Sequence, residues 1–474
     1  MSPPDAGTRR YRFPPLEHRG VLAGLSGPQL ALLAAGGVGA IGIIRAATTA
    51  AGLLAAAAVL ALACAGAFWT VAGRSPGSWV VIGAGWLRHR ARGPETSGGP
   101  APLRPPRVLA GVSILAAPAI PGGPPMGVVK DRKAGTLAAI LAVRGRSFSL
   151  LDPEEKERRL GAWGAVLAAV GRDGSPVHRI QWLERAGPGS GDGLHGYLED
   201  AGSGDARQPL ESYRQLISGA GPAGQVHEVL LVVAVDPRRA SRAVRAFGRG
   251  ADGGCGLLRR EVRLLEGRLR SADLAVDSIL TERQVADALR LAVEPSERSW
   301  SRLGAWPLAS DEAWSAYRTD GNWSVTYWVA DWPRVDVGPD FLSPLLLGPG
   351  HARRTVALVM APVAPARAAR QVEAARTADL ADEQLRRRAG FLTSARRRRE
   401  TEGVLQREGE LADGHGEYRF SGYVTVTAAD LSELTSACAE VEQSAQQAHL
   451  DLRRLYGQQA EGFTWTLPLA RGLA

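Results

Sequence analysis

The sequence predicts an α+β protein: an N-terminal two-helix transmembrane hairpin, then a two-lobed cytoplasmic α+β region without a P-loop motor domain. Three observations predict it. From Gly20 to Gly73 the only charged residue is Arg45, which separates uncharged runs of 25 and 28 residues. Beyond residue 107, short strand-like apolar runs alternate with capped segments of helical period. With 474 residues, 45% apolar and 22% charged, the chain is too long for one ordinary core and too apolar for wholesale disorder.

Residues 1–27 form a basic cytoplasmic tail and 28–73 the hairpin. Each uncharged run is long enough to cross the roughly 30 Å hydrocarbon layer at about 1.5 Å per helical residue. An arginine at mid-membrane costs about 2.5–3.5 kcal/mol, so Arg45, with Thr48 and Thr49 after it, belongs at a tight turn near the far surface. Arg9, Arg10, Arg12 and Arg19 precede the first helix, and Arg74, Arg88, Arg90 and Arg92 follow the second, which puts both ends in the cytoplasm by the positive-inside rule. The net charge of +9 would suit a nucleic-acid binder if it were spread over the chain. Residues 1–107 hold eleven arginines against Asp5, Glu17 and Glu95, so the basicity is almost wholly N-terminal and direct DNA binding is not expected.

Residues 74–107 combine an interfacial helix and a Pro-rich linker. Trp79, Val80, Val81, Ile82, Trp86 and Leu87, followed by Arg88, Arg90 and Arg92, have the aromatic, apolar and basic composition of a helix lying among headgroups, with Arg74 at its start. Pro94, Pro100, Pro102, Pro105 and Pro106 mark the linker.

The first cytoplasmic lobe, residues 108–299, opens with strands at 126–129 and 136–143 around the turn 131–135. Asp152-Pro153-Glu154-Glu155 starts a helix carrying Leu160, Trp163 and Val166 on one face. A strand follows at 177–183, then helices near 192–200 and 208–218, and a buried strand, Val229 to Val235. Helices are expected at 237–248 and 254–271, with Thr281-Glu282-Arg283-Gln284 capping another. The second lobe, 300–474, begins in a stretch with Trp300, Trp306, Trp314, Trp323, Trp328 and Trp332, mostly suited to burial. It contains strands at 324–329, 355–360 and 418–427, helices at 366–407 and 429–448, and a terminal strand at 463–467.

Local catalytic chemistry is not supported. The only lysines are Lys130, Lys133 and Lys156, and none stands in the Gly-Lys-Ser/Thr order that cradles phosphate. Cys64, Cys255 and Cys438 are too far apart for a metal-ligand spacing, the eight histidines are scattered, and no Gly-x-Ser-x-Gly elbow occurs. Neither cofactor nor metal is implied. Gly191-Asp192-Gly193-Leu194-His195-Gly196 matches a dinucleotide fingerprint, weakly, because Pro188 and Gly189 loosen the turn. Arg386, Arg387, Arg388, Arg396, Arg397, Arg398 and Arg399 form a basic patch on helices, a partner contact or a solvated face compensated by Glu400, Glu402 and Glu408.

Tyr11-Arg12-Phe13, the paired apolar helices and Gly73-Arg74-Ser75-Pro76 before the Trp79 helix resemble the PrgI-type inner-membrane subunits of conjugative type IV secretion systems. Met126 to Lys130, Arg179 to Arg185, Tyr418 to Val426 and Leu467-Pro468-Leu469 resemble the non-catalytic N-terminal region of CagE/TrbE-type secretion ATPases. The whole is similar to actinobacterial membrane proteins of conjugative elements that join these parts. This resemblance implies a non-enzymatic inner-membrane scaffold for conjugation, docked on the secretion ATPase, the channel or other inner-membrane subunits, with a homo-oligomer allowed. In the ATPase family a motor domain follows the Leu-Pro-Leu segment, whereas this chain stops at Ala474, which leaves anchoring without hydrolysis. A second resemblance is to EccE-type subunits of type VII secretion machines, which also place two membrane helices before a cytoplasmic α/β domain; the later segments favour type IV. A membrane-tethered nucleotide-binding enzyme using the Gly191 loop is the third reading.

Overall fold

The computed structural model describes residues 11, 13, 27–68, 74, 76–96, 104–120, 123–145, 148–188, 225–294, 304–348, 352–388 and 395–473. They form two units: one of residues 15–94 and 456–458, the other holding the remainder. The smaller unit carries α1 (Gly27–Ala46), α2 (Ala50–Phe68) and α3 (Pro76–Arg90).

The larger unit is built on one antiparallel sheet. Its strands are β1 (Glu95–Thr96), β2 (Val112–Ala116), β3 (Gly127–Asp131), β4 (Thr136–Arg144), β5 (Val177–Pro188), β6 (Gln225–Val235), β7 (Ala275–Ile279), β8 (Ala309–Glu312), β9 (Tyr317–Thr319), β10 (Asn322–Asp331), β11 (Arg353–Pro362), β12 (Tyr418–Ala428) and β13 (Asp451–Arg454). Among the described residues the order is β1-β8-β9-β10-β12-β11-β5-β6-β4-β3-β2, with β7 also on β4 and β13 also on β10. Its helices are α4 (Pro153–Val170), α5 (Ser241–Arg245), α6 (Gly250–Ser271), α7 (Glu282–Val293), α8 (Ser343–Leu347), α9 (Pro365–Arg388), α10 (Ala395–Ala412), α11 (Leu431–Gln447) and α12 (Gln459–Trp465).

Local chemistry explains many of these elements. The Asp131 carboxylate accepts from the Lys133 and Ala134 amides at 2.9 and 3.0 Å, which closes the β3–β4 turn. Asp152 caps α4 through the Glu155 amide, and Thr281 and Gln284 form a reciprocal capping box on α7. β6 is buried on both faces from Leu230 to Val235, as its unbroken apolar run requires.

Segments 108–299 and 300–474 share this sheet, and each repeats the other's strand order. In the first, β4 pairs with β3, β6 and β7, and β6 with β5. In the second, β10 pairs with β9, β12 and β13, and β12 with β11. Helices α6 and α11 precede β7 and β13; α7 and α12 follow them. The halves join where β5 meets β11 antiparallel, from Ile180↔Met360 to Ala186↔Arg354. An approximate two-fold axis therefore passes near the Leu183↔Ala357 pair.

Helices cover both faces. Val166 and Val170 of α4 and Leu258, Val262 and Leu265 of α6 pack on one face of the first half. Leu434, Cys438 and Val441 of α11 do the same for the second half. On the opposite face, Val285 and Leu289 of α7 share a cluster with Phe463, Leu467 and Leu469. Here the expected terminal strand at 463–467 is replaced by the end of α12. The β-prone Phe-Thr-Trp-Thr run instead turns back on itself, with the Thr464 and Thr466 hydroxyls donating to the carbonyls of Glu461 and Phe463. The expected 237–248 helix shortens to α5, and the segments near 192–200 and 208–218 lie outside the described residues.

The C-terminal segment is clamped to the sheet by polar groups. The fully buried Gln181 amide donates to the carbonyls of Trp465 and Leu467 at 2.9 and 3.0 Å and accepts from the Ala470 amide at 2.8 Å. Arg179 donates to the carbonyls of Ala470 and Leu473, and Arg471 to Asp131 at 2.6 Å and to the Val108 carbonyl. Burial works to raise the Asp131 carboxyl, but hydrogen bonds from Arg471 and the turn amides outweigh it and hold its pKa below the usual 3.8.

Gln181→Leu leaves the Trp465 carbonyl and the Ala470 amide without this partner, while the Leu467 carbonyl keeps the Leu469 amide. It is expected to cost about 2–4 kcal/mol and to accelerate hydrogen exchange at Ala470; unchanged exchange would show that the clamp contributes nothing. For Asp131, whose folded-state pKa is depressed, the linked stability is present above the unfolded pKa and lost as pH falls through the lower folded value. Acidification below pH 3.8 is therefore expected to loosen residues 465–473 in the wild type, and Asp131→Asn to remove that pH dependence, both read by exchange.

Candidate membrane anchor and platform

In the smaller unit, α1 and α2 pack through small side chains. A Cβ on Gly36 would stand 2.3 Å from the Ala63 Cβ, so only glycine permits this approach. Ala40, Ala56, Ala63 and Ala67 are buried, while Val38, Leu54 and Leu62 are each 72–73% exposed. Only 11% and 22% of the two apolar windows is buried, although both helices are long and apolar enough to cross a membrane. At the open end the Gln29 side chain donates to the Ala67 carbonyl at 2.8 Å.

At the other end, the turn occupies Ala47 to Thr49. The Thr49 hydroxyl accepts from the Gly52 amide and caps α2. A Cβ at Gly52 would come within 2.1 Å of the Ala47 carbonyl oxygen, so the turn also demands glycine. Arg45 lies in the last turn of α1, and it and Thr48 are exposed. In α3, Val80, Val81 and Leu87 are exposed, Trp79 and Trp86 half-buried, and Arg88, Arg90 and Arg92 exposed at or just beyond its end. The Arg90 guanidinium lies 5.8 Å from the Trp86 ring centre. Arg74 donates to the Gln458 side chain at 2.7 Å within the same unit, so it takes a protein partner.

The larger unit receives the chain on both sides of this hairpin. Tyr11 and Val337 exchange backbone hydrogen bonds at 2.9 and 3.0 Å. Phe13 stacks on Trp332 at 5.3 Å and meets Phe341 at 5.4 Å. On the far side, Glu95 and Thr96 pair with Ser310 and Ala309. The sequence singled out Tyr11-Arg12-Phe13 for its resemblance; its docking onto the tryptophan-rich stretch went unread, because an isolated bridge and two ring contacts leave no periodic signal.

A polar patch ends the central seam. Glu184 Oε1 and His227 Nδ1 are 2.9 Å apart, and burial raises the Glu184 carboxyl despite the opposing pull of His227. Arg185 is buried beside Glu228 at 3.2 Å, with burial lowering its pKa. Among the described residues no group of three or more His, Cys, Asp or Glu side chains converges as a metal site. Cys255 and Cys438 are buried free thiols. The Gly191 fingerprint lies outside the described residues, as do the side chains of Arg386 to Arg388 and Arg396 to Arg399, whose backbones end α9 and begin α10.

A family model described as the type VII ESX secretion system translocon, EccE, matches residues 223–329, from β6 to β10. No curated protein matches the chain. The match overturns the type IV conjugation reading. The later segments that favoured it over type VII coincide with β3, β5, β12 and the C-terminal clamp, where burial and sheet packing restrict composition whatever the protein does.

Gly36→Leu is expected to part the helices. A Gly39→Cys, Val59→Cys pair, built where a Gly39 Cβ lies 3.6 Å from Val59, should cross-link in the otherwise native hairpin and fail to do so with Gly36→Leu added; equal cross-linking would refute the seam.

Proposed function

We propose that this chain is a non-enzymatic, membrane-anchored subunit of a type VII secretion translocon, held in the inner membrane by α1 and α2, with both flanks and the sheet unit in the cytoplasm. The observation that carries the reading is the EccE match over residues 223–329. Insertion is supported by the hairpin's packing: small residues inside and large apolar residues outside suit lipid, which solvates apolar side chains and leaves close backbone packing to hold helices together. A two-pass path is supported by Tyr11, Phe13 and Glu95, which flank the hairpin and all belong to the sheet unit. The arginines flanking the hairpin favour the cytoplasmic side.

On this reading the partners are the bilayer and other inner-membrane subunits of the translocon. Tethering raises effective concentration, so modest contacts from the sheet unit suffice for assembly. In a Cys64→Ala background, Arg45→Cys is expected to react with an impermeant maleimide applied from outside the plasma membrane; reaction only from the cytoplasmic side would reverse the topology. Cross-linking in native membranes, read by mass spectrometry, should recover type VII translocon components. Recovery of a different machine's subunits without them would overturn the assignment.

A further inference from the structure

α3 is apolar on two faces, and only one of them is covered. The helix carries no charge before Arg88. Trp79, Ile82 and Trp86 fall on one side at helical spacing and are buried or half-buried, while Val80, Val81, Ala84 and Leu87 fall on the other. Val80, Val81 and Leu87 are 72%, 73% and 62% exposed. The tryptophans, which the composition alone marks as headgroup anchors, are therefore the covered side, and the uncovered side is valine, alanine and leucine. A helix apolar all round needs an apolar medium all round, and among the described residues nothing supplies it to the outer face.

The outer face ends in positive charge. Arg88, and Arg92 just past the helix, continue the row of Val81 and are exposed, whereas Arg90 turns to the Trp86 ring. Among the described residues no carboxylate pairs with Arg88 or Arg92, and no acidic residue stands between Gly20 and Pro94. Fifteen helical residues cover about 22 Å, too little to cross a hydrocarbon layer of roughly 30 Å. Seven residues separate α2 from α3, so α3 starts within about 29 Å of Phe68, in the same unit as the hairpin.

We infer that α3 lies in the headgroup layer of the bilayer that holds α1 and α2, with Val80, Val81, Ala84 and Leu87 toward the acyl chains and Arg88 and Arg92 on the phosphates of anionic lipid. Two features select lipid as the occupant. The outer face continues the outward apolar surface of α1 and α2, which expose Val38, Leu54 and Leu62 in the same unit. Its unpaired arginines complement an acidic headgroup layer, which attracts basic residues close to the membrane surface. The inference rests on the membrane reading above and adds to it the face of α3 that meets lipid and the charge of that lipid.

The test uses the full chain in nanodiscs of phosphatidylcholine alone or with phosphatidylglycerol. In a Cys64→Ala background, nitroxide labels on Val81→Cys and, as the hairpin control, Leu62→Cys are read by collision with oxygen, which concentrates in lipid, and with a water-soluble nickel chelate. In the phosphatidylglycerol discs both labels are expected to favour oxygen. There the water-exposed fraction at position 81 should rise about fivefold for Arg88→Gln and again for Arg92→Gln, the effect of one basic residue near an anionic surface; in phosphatidylcholine alone these changes should leave it as it was. Nickel access at 81 but not at 62 would overturn this inference alone. Nickel access at both would overturn the anchor and the inference together. A label at 81 shielded from both reagents would replace lipid with a protein partner, and an equal response to the arginine changes in both discs would overturn the anionic headgroup.

Discussion

The antiparallel pairing of β5 with β11 is the constraint on which the larger unit depends. Without it each half would expose a long edge strand, with unpaired backbone groups open to any other chain. β5 carries Leu183, fully buried, and β11 carries Ala357 and Val359, equally buried, so the seam is core on both sides. Gln181, also on β5, then uses its amide to hold the C-terminal segment against that seam. The end of the second half is thereby fastened to the first, and neither half is complete alone.

The smaller unit has the opposite arrangement of side chains. In the sheet unit large apolar residues point inward, and polar groups that are buried mostly find partners. In the hairpin, alanine and glycine occupy the interface while valine, isoleucine and leucine face outward. Water would favour the reverse arrangement, whereas lipid leaves close packing and the Gln29 hydrogen bond as the means of association. The N-terminal contacts of Tyr11 and Phe13 and the pairing of Glu95 return the chain to the sheet unit on either side of this hairpin.

Locally determined features were legible in the sequence. The Asp152 cap, the Thr281 box, the β3–β4 turn and the buried run of β6 each depend on neighbouring residues and were read correctly. Arg45 stands in the last turn of α1, next to the Thr-containing turn. What was not legible is non-local. Nothing near residue 183 announces a partner near residue 357, so the sheet shared by residues 108–299 and 300–474 was not foreseen. The 463–467 segment was misread because its aromatic and β-branched residues fit a strand, while its burial beside Val285 and Leu289 favours a short helix. Type IV was preferred to type VII for a related reason: the later segments that decided it are largely sheet strands, whose composition reports burial more than function.

The repeat also explains where the molecule can vary. Residues 189–224 join β5 to β6, and residues 363–417 join β11 to β12, so both long insertions occupy the same connection in their repeats. A turn between paired strands is a place where chain can be added without breaking the ladder, because only the ends of the loop must meet and closure entropy grows slowly with length. Under the two-fold relation these insertions leave opposite ends of the strands. The sheet thus holds two independent positions for elaboration on one rigid frame.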